Sequence, residues 1–232
     1  MTKPRLALTS TPERAVSLGA VAERAGLAPV SLPCIEYVPA DSSTVEMARA
    51  RAAGCDWLVL TSARAVATLW PRGGIPAASV AAVGPATAAA VRTAGGDPTL
   101  VGDAGSEELF DRLSVGIAGR SVFVPHAAAA DLSRLDILES AGAVVDTMAI
   151  YDVRPMAPGG DPVEAVAFGS PTAVEGWLSG RTLDGLVVGA IGETTKAALT
   201  DHEIAADFVP EEPSFDHLVS LIAAGLRDRS TV

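Results

Sequence analysis

A short apolar run that ends at a hydroxyl residue and turns straight into a helical pattern occurs twice in this chain, at one fixed spacing. Asp56 to Val66 reads DWLVLTSARAV, and Glu164 to Val174 reads EAVAFGSPTAV. A short, continuous, branched apolar run is the mark of a strand buried on both faces of a parallel sheet. Ser62 and Ser170 lie 108 residues apart (170 − 62). Gly84 and Thr87 of VAAVGPAT fall opposite Gly192 and Thr195 of VVGAIGETT at that offset, and Ser106 falls opposite Ser214. Landmarks that keep one offset point to an internal duplication.

The start of the chain has its own echo. RLALT (Arg5 to Thr9) reads as a strand, and PERAVSLGAVAERAG as an amphipathic helix with Pro12 early and Gly26 as its stop. Gly119 to Pro155 repeats the order of strand, helix, Ala-Gly stop and extended segment ending in proline. Gly26 matches Gly142 and Pro39 matches Pro155, both at an offset of 116. The offset falls to 108 after Pro39, where DSSTVEMARARAAG supplies an additional helix. The extended stretch APVSLPCIEYVP is bracketed by Pro33 and Pro39 and reads as an edge or crossing strand, because proline removes a ladder donor. Strands alternate with helices throughout, about five strands per unit, which is the pattern of flavodoxin-sized parallel sheets covered on both faces. The repeats fit either two contiguous domains or a chain that leaves the first domain, builds the second and returns.

Composition narrows the partners. The chain of 232 residues is 49% hydrophobic with a formal charge of −11, which marks a globular protein and disfavours duplex nucleic acid or an anionic membrane. Cys34 and Cys55 fall in different units, so free thiols in a reducing compartment are expected. MTKPRLALTS lacks the apolar core of a signal peptide, and no run reaches membrane-spanning length. The expectation is a soluble, cytoplasmic monomer.

Chemistry concentrates at the strand-to-helix turns. A helix start there offers free backbone N–H groups, a setting that suits carboxylates or phosphates. One such turn per domain suggests a cleft between them. Ser62 and Ser170 are equally good helix caps, so capping and ligand binding both stand for each. Arg64 opposes the helix dipole in a first turn, which implies another use for it. His126, His202 and His217 have no metal-ligand spacing. VGPATA and AIGETT lack the glycines of a dinucleotide fingerprint or a phosphate loop, and neither serine stands in a nucleophile elbow. His126 ends a strand and faces either a cleft or the surface. Asp131, Asp136 and Glu139 read as a solvated helix face. Tyr151 is one of two tyrosines and lies on the returning segment, as a site phenol or as a half-buried strand residue.

Six segments occur in order: LVLTSARAV, AVGPATAAAVRTAG, AIYDVRP, AVAFGSPTAV, AIGETTKAAL and VPEEPSFDHLVSLI. As an ordered set they resemble uroporphyrinogen-III synthase over nearly the whole chain. The resemblance implies two similar flavodoxin-like parallel-sheet α/β domains, the first discontinuous. Residues 1–34 with 155–232 would form the first, 38–150 the second, and 33–39 with 150–155 a two-stranded linker. It implies closure of hydroxymethylbilane to uroporphyrinogen III in tetrapyrrole (haem) biosynthesis, with loss of water, inversion of the last pyrrole ring, and neither metal nor cofactor. It places substrate contacts on Thr61, Ser62, Arg64, Thr87, Ser170 and Thr195, and the catalytic phenol on Tyr151. The chain departs from the family in LTSTP and PHAAAAD, where basic residues are common. The alternative is a two-domain binding or regulatory protein that grips an anionic small molecule without catalysis.

The absence of a metal-ligand spacing generates a first expectation. Turnover of hydroxymethylbilane should survive a chelator unchanged, and activity lost to the chelator and restored by zinc would overturn it.

Overall fold

The computed structural model describes residues 2–229 except 77 and 104. In chain order it forms β1 (Arg5–Leu8), α1 (Pro12–Arg24), β2 (Ala28–Ser31), β3 (Ile35–Pro39), α2 (Ser42–Gly54), β4 (Trp57–Leu60), α3 (Ala63–Leu69), β5 (Ser79–Val83) and α4 (Gly84–Thr93). It continues with β6 (Leu100–Gly102), α5 (Ser106–Ser114), β7 (Ser121–Ala127), a 3₁₀ turn, α6 (Asp136–Ser140) and β8 (Val144–Pro155). The last elements are β9 (Ala165–Phe168), α7 (Pro171–Leu178), β10 (Val187–Ala190), α8 (Glu193–Asp201) and α9 (Phe215–Arg229). The chain divides into two compact units, Met1–Glu36 with Arg154–Val232 and Tyr37–Val153.

The first unit holds a sheet of order β10-β9-β1-β2, with β1 parallel to β2 and β9, and β9 parallel to β10. Successive residues alternate between faces, and both faces are covered. Leu6 and Leu8 pack with Ala15 and Ala22 of α1 and with Leu218 and Ile222 of α9. Ala7, Val166 and Phe168 point the other way, against Val174 and Trp177 of α7 and Leu199 of α8. Burial on both sides is why these strands are apolar without interruption. ADFVP (residues 206–210) contributes one bridge, Gly189 to Phe208. Asp207 turns its carboxylate onto the Val188 N–H at 2.8 Å, and Pro210 and Pro213 remove the donors that would extend the ladder.

The second unit holds a sheet of order β3-β8-β7-β4-β5-β6. The pairs β8/β7, β7/β4, β4/β5 and β5/β6 are parallel. On one face Leu58, Leu60 and Phe123 pack against Ala48 and Ala52 of α2, Val66 and Leu69 of α3 and Val91 of α4. On the other, Val59, Ala81 and Val124 meet Leu109 and Leu113 of α5 and Leu138 of α6. Asp41 caps α2, accepting from the Thr44 N–H at 2.9 Å, and the hydroxyls of Ser43 and Thr44 beside it help hold its carboxyl down at about 2.

The duplication is visible in both sheets. The pair β1/β2 stands beside β9 and β10, and the pair β7/β8 stands beside β4 and β5, so the repeated parts follow each other in opposite chain order. The proline-bracketed stretch splits into β2 and β3, the edge strands of different sheets. Where the chain leaves and re-enters the first unit, the Met156 N–H donates to the Cys34 carbonyl at 2.8 Å. α7 lies directly on this crossing. A Cβ at Gly176 would stand 2.0 Å from the Cys34 oxygen and 2.8 Å from that of Met156. Backbone on both sides leaves no side chain to give way, so Gly176→Ala should cost about 3 kcal/mol of stability. Chemical denaturation of the purified variant checks this, and an unchanged midpoint would show that α7 stands off the crossing.

Candidate active site

In the second unit the buried β4 ends at Leu60, and Thr61-Ser62 carry the chain into α3. Ser62 is extended (φ −150°, ψ 146°), and its Oγ accepts the Ala65 N–H at 3.2 Å. It is a helix cap, as its position indicates. The same oxygen lies 3.0 Å from the Tyr151 hydroxyl. Tyr151 reaches it because β8 carries a bulge. His126 pairs with Ala149 but Ala127 pairs with Tyr151, so Ile150 is the extra residue. Strict alternation would send Ile150 and Tyr151 to opposite faces. The bulge buries both on the α2/α3/α4 side, at 0% and 8% exposure.

Two further side chains complete this cluster. The rings of Tyr151 and Tyr37 meet edge to face, with centroids 5.9 Å apart at 74°. The Arg64 guanidinium stacks on Tyr37 with Cζ 3.9 Å from the ring centroid. That contact is what Arg64 gains in a helix turn where its charge opposes the dipole. Tyr37 is absent from the sequence-derived set. Its signal was there: it is the other of the two tyrosines, and both lie in proline-ended extended stretches.

Thr61 points to the opposite face of the same sheet edge. With Ser106, His126, Asp131 and Arg134 it lines a cavity of about 190 Å³. His126 is buried, and its Nδ1 is 2.7 Å from the Ala127 carbonyl, so it is neither a surface histidine nor part of the tyrosine cluster. The Ser133 N–H, helped by the Ser133 hydroxyl, holds the Asp131 carboxyl below its usual range. Arg134 pairs with Glu107. Thr87 lies in the first turn of α4 and is buried.

In the first unit Ser170 repeats the cap. Its Oγ accepts the Ala173 N–H at 3.3 Å at the start of α7. Thr195 is buried in the first turn of α8, matching Thr87. At the end of β1 the Thr9 hydroxyl donates to the Ala167 carbonyl at 2.9 Å. The next hydroxyl, Ser10 Oγ, is buried without a hydrogen-bond partner among the described residues. Of the sequence-derived residues, the structure therefore brings Ser62, Arg64 and Tyr151 into one cluster. It puts Thr61 on the other face and Thr87 in the buried first turn of α4, while Ser170 and Thr195 belong to the first unit.

Among the described residues no group of three His, Cys, Asp or Glu side chains is arranged to hold a metal ion. Burial pushes the Cys34 thiol up to about 12, against a smaller opposing effect of Arg181, so it is a poor nucleophile. Burial also raises Cys55. Available for chemistry in the tyrosine cluster are the two phenols of Tyr37 and Tyr151, a hydroxyl whose oxygen already accepts one N–H, and a guanidinium with one face on an aromatic ring.

The two serine caps separate experimentally. Ser62→Ala and Ser170→Ala should each lower stability by about 1 kcal/mol, the usual cost of a lost cap. Ser62→Ala should also shift the Tyr151 ring resonances in the NMR spectrum, and Ser170→Ala should not. Unmoved Tyr151 resonances in Ser62→Ala would remove the hydrogen bond between them.

Solved structures share this fold. Over 98% of this chain and 100% of the other, uroporphyrinogen-III synthetase from Helicobacter pylori superposes with a TM-score of 0.64 at 15% identity. A mutant uroporphyrinogen III synthase from Thermus thermophilus superposes with a TM-score of 0.56 at 22% identity, covering 99% and 100% of the two chains. At these identities the likeness is one of fold. No curated protein matches the sequence. A family model does, over residues 17–220, and its description is HEM4, uroporphyrinogen-III synthase HemD. Spanning most of the chain, that match makes this protein a member of the uroporphyrinogen-III synthase family.

Proposed function

We propose that this uroporphyrinogen-III synthase closes hydroxymethylbilane with Tyr151 as the proton donor to the departing hydroxyl. One observation carries the assignment: the Tyr151 phenol, brought inward by the bulge in β8, lies 3.0 Å from Ser62 Oγ. The Ser62 oxygen already accepts the Ala65 N–H. With its own proton turned to the Tyr151 oxygen, Ser62 leaves the phenol proton free for the substrate.

The step balances without another reactant. The C–O bond of the hydroxymethyl group breaks with its electron pair on oxygen, and the phenol proton makes water. The resulting carbon cation is attacked by the last pyrrole ring at the α-carbon that already carries its methylene link. That older C–C bond then breaks, leaving the positive charge on the link, which bonds to the ring's free α-carbon, and the proton lost there restores the phenol. The unaided reaction gives the uninverted isomer, so the protein's main task is to hold the bilane where the inverted closure is nearer.

We assign carboxylate binding to Thr61, Ser62, Arg64, Thr87, Ser170 and Thr195. Arg64 stacks by its face, which leaves its N–H edge for a carboxylate fork. Thr87 and Thr195, at 4% and 1% exposure, act by holding the helix starts that present backbone N–H groups. Two flavodoxin-like domains, 1–34 with 155–232 and 38–150, joined through 33–39 and 150–155, are part of the same proposal. The sheet orders β2-β1-β9-β10 and β8-β7-β4-β5-β6 support it, since both follow the doubly wound 2-1-3-4 order. So does the division of the chain at Glu36 and Arg154. Two free cysteines support a reducing, cytoplasmic setting, and we take the working species to be the monomer.

Tyr151→Phe tests the assignment. It should keep the fold and lower turnover by about 10²-fold, the lower end for a general acid, with residual activity because the substrate ionises slowly unaided. Formation of isomer III by the purified variant is the measurement, beside its melting curve. Wild-type turnover would leave positioning of the bilane as the whole of catalysis.

A further inference from the structure

We propose that Tyr37 is a positioning residue of this reaction, the piece that fixes the Tyr151 phenol and the Arg64 guanidinium relative to each other. The inference rests on Tyr151 being the proton donor.

Three side-chain contacts and a short stretch of backbone form a closed loop. Ser62 Oγ and the Tyr151 hydroxyl are 3.0 Å apart. The Tyr151 ring meets Tyr37 edge to face at 5.9 Å. Arg64 covers the Tyr37 ring at 3.9 Å. Arg64 and Ser62 are two residues apart at the start of α3, which closes the loop through the backbone.

Tyr151 is buried against the α2/α3/α4 core, and its hydrogen bond fixes the hydroxyl. The edge contact with Tyr37 adds a directional restraint on the plane of its ring. Tyr37 is on β3, an edge strand of this sheet, and is only partly buried, so core packing alone does not hold it. The Arg64 stack is what restrains its ring. Arg64 is held by the same contact, face down, and has no hydrogen-bond partner of its own among the described residues. One aromatic ring therefore sets both the direction of the acid and the plane of a carboxylate-binding cation.

The test compares Tyr37→Phe and Tyr37→Leu, each alone and with Tyr151→Phe, by kcat, KM and the fraction of isomer III formed from hydroxymethylbilane. Phe keeps the ring, the stack and the edge contact, and should retain wild-type kcat. Leu fills space without them, and should lower kcat about tenfold and raise the share of isomer I, since small misplacements of an acid are costly. In the Tyr151→Phe background Leu should change kcat less than about twofold, because the phenol it positions is gone. A Phe variant as impaired as Leu, a Leu variant with wild-type kcat, or a tenfold loss that persists in the Tyr151→Phe background would each overturn the proposal. If melting curves show that the Leu variant does not fold, Tyr37→Gln, whose polar side chain suits a partly buried edge-strand position, removes the ring instead, and the same loss in kcat, with the same dependence on Tyr151, decides the matter. A wild-type protein that forms no isomer III, or a Tyr151→Phe variant with full turnover, would strike the proposed function itself and is read from the parent samples in the same series.

Discussion

A strand buried on both faces has nowhere along its length for a polar side chain, and that constraint organises this protein. Leu6, Ala7 and Leu8, or Leu58, Val59 and Leu60, are closed to solvent in succession. Every one of them meets helices on one side or the other. Polar chemistry is displaced to where the strands stop. There the first N–H groups of the next helix want an acceptor, and Ser62 and Ser170 supply it. The Ser62 turn gains a reactive neighbour because β8, which lies beyond β7 in the sheet, is bulged. One extra residue in β8 turns a tyrosine from the wrong face to the right one.

The same constraint explains why the two units look alike while differing in use. Each has a serine cap after a buried strand and a buried threonine in the first turn of the following helix. Only the second carries a tyrosine cluster, and only the first leaves a buried hydroxyl, that of Ser10, without a partner among the described residues. Duplication preserves what the sheet requires. The residues that differ between the copies are those the sheet leaves unconstrained, at its edges and in the segments entering and leaving it.

Much of this was legible in the sequence, for physical reasons. Continuous apolar runs and regular spacing gave the strands, and the two caps followed from hydroxyls just before helical patterns. The additional helix α2 was visible as a change in repeat offset. Other features depend on register, which sequence encodes weakly. No local signal distinguishes a bulged Ile150 from a paired one, so the direction of Tyr151 stood open between two readings. Tyr37 was passed over because its role comes from Arg64 and Tyr151, 27 and 114 residues away. ADFVP has the composition of a strand, but Asp207 takes the Val188 N–H and proline follows, which tertiary contact shows and composition does not.

The opposite order of the repeated parts has a consequence for how the chain is made. The second unit is a single contiguous span, Tyr37–Val153, and all its strands are available once that span has been synthesised. The first unit is not. Its founding strand β1 lies between β2 and β9, and β9 begins at Ala165. During translation, β1 and β2 with α1 form a two-stranded fragment with one side of β1 unpaired, too small to bury its own apolar face. It must wait while the other unit is completed behind it. A nascent chain therefore carries a finished domain and an unfinished one at the same time, with the older residues being the last to settle.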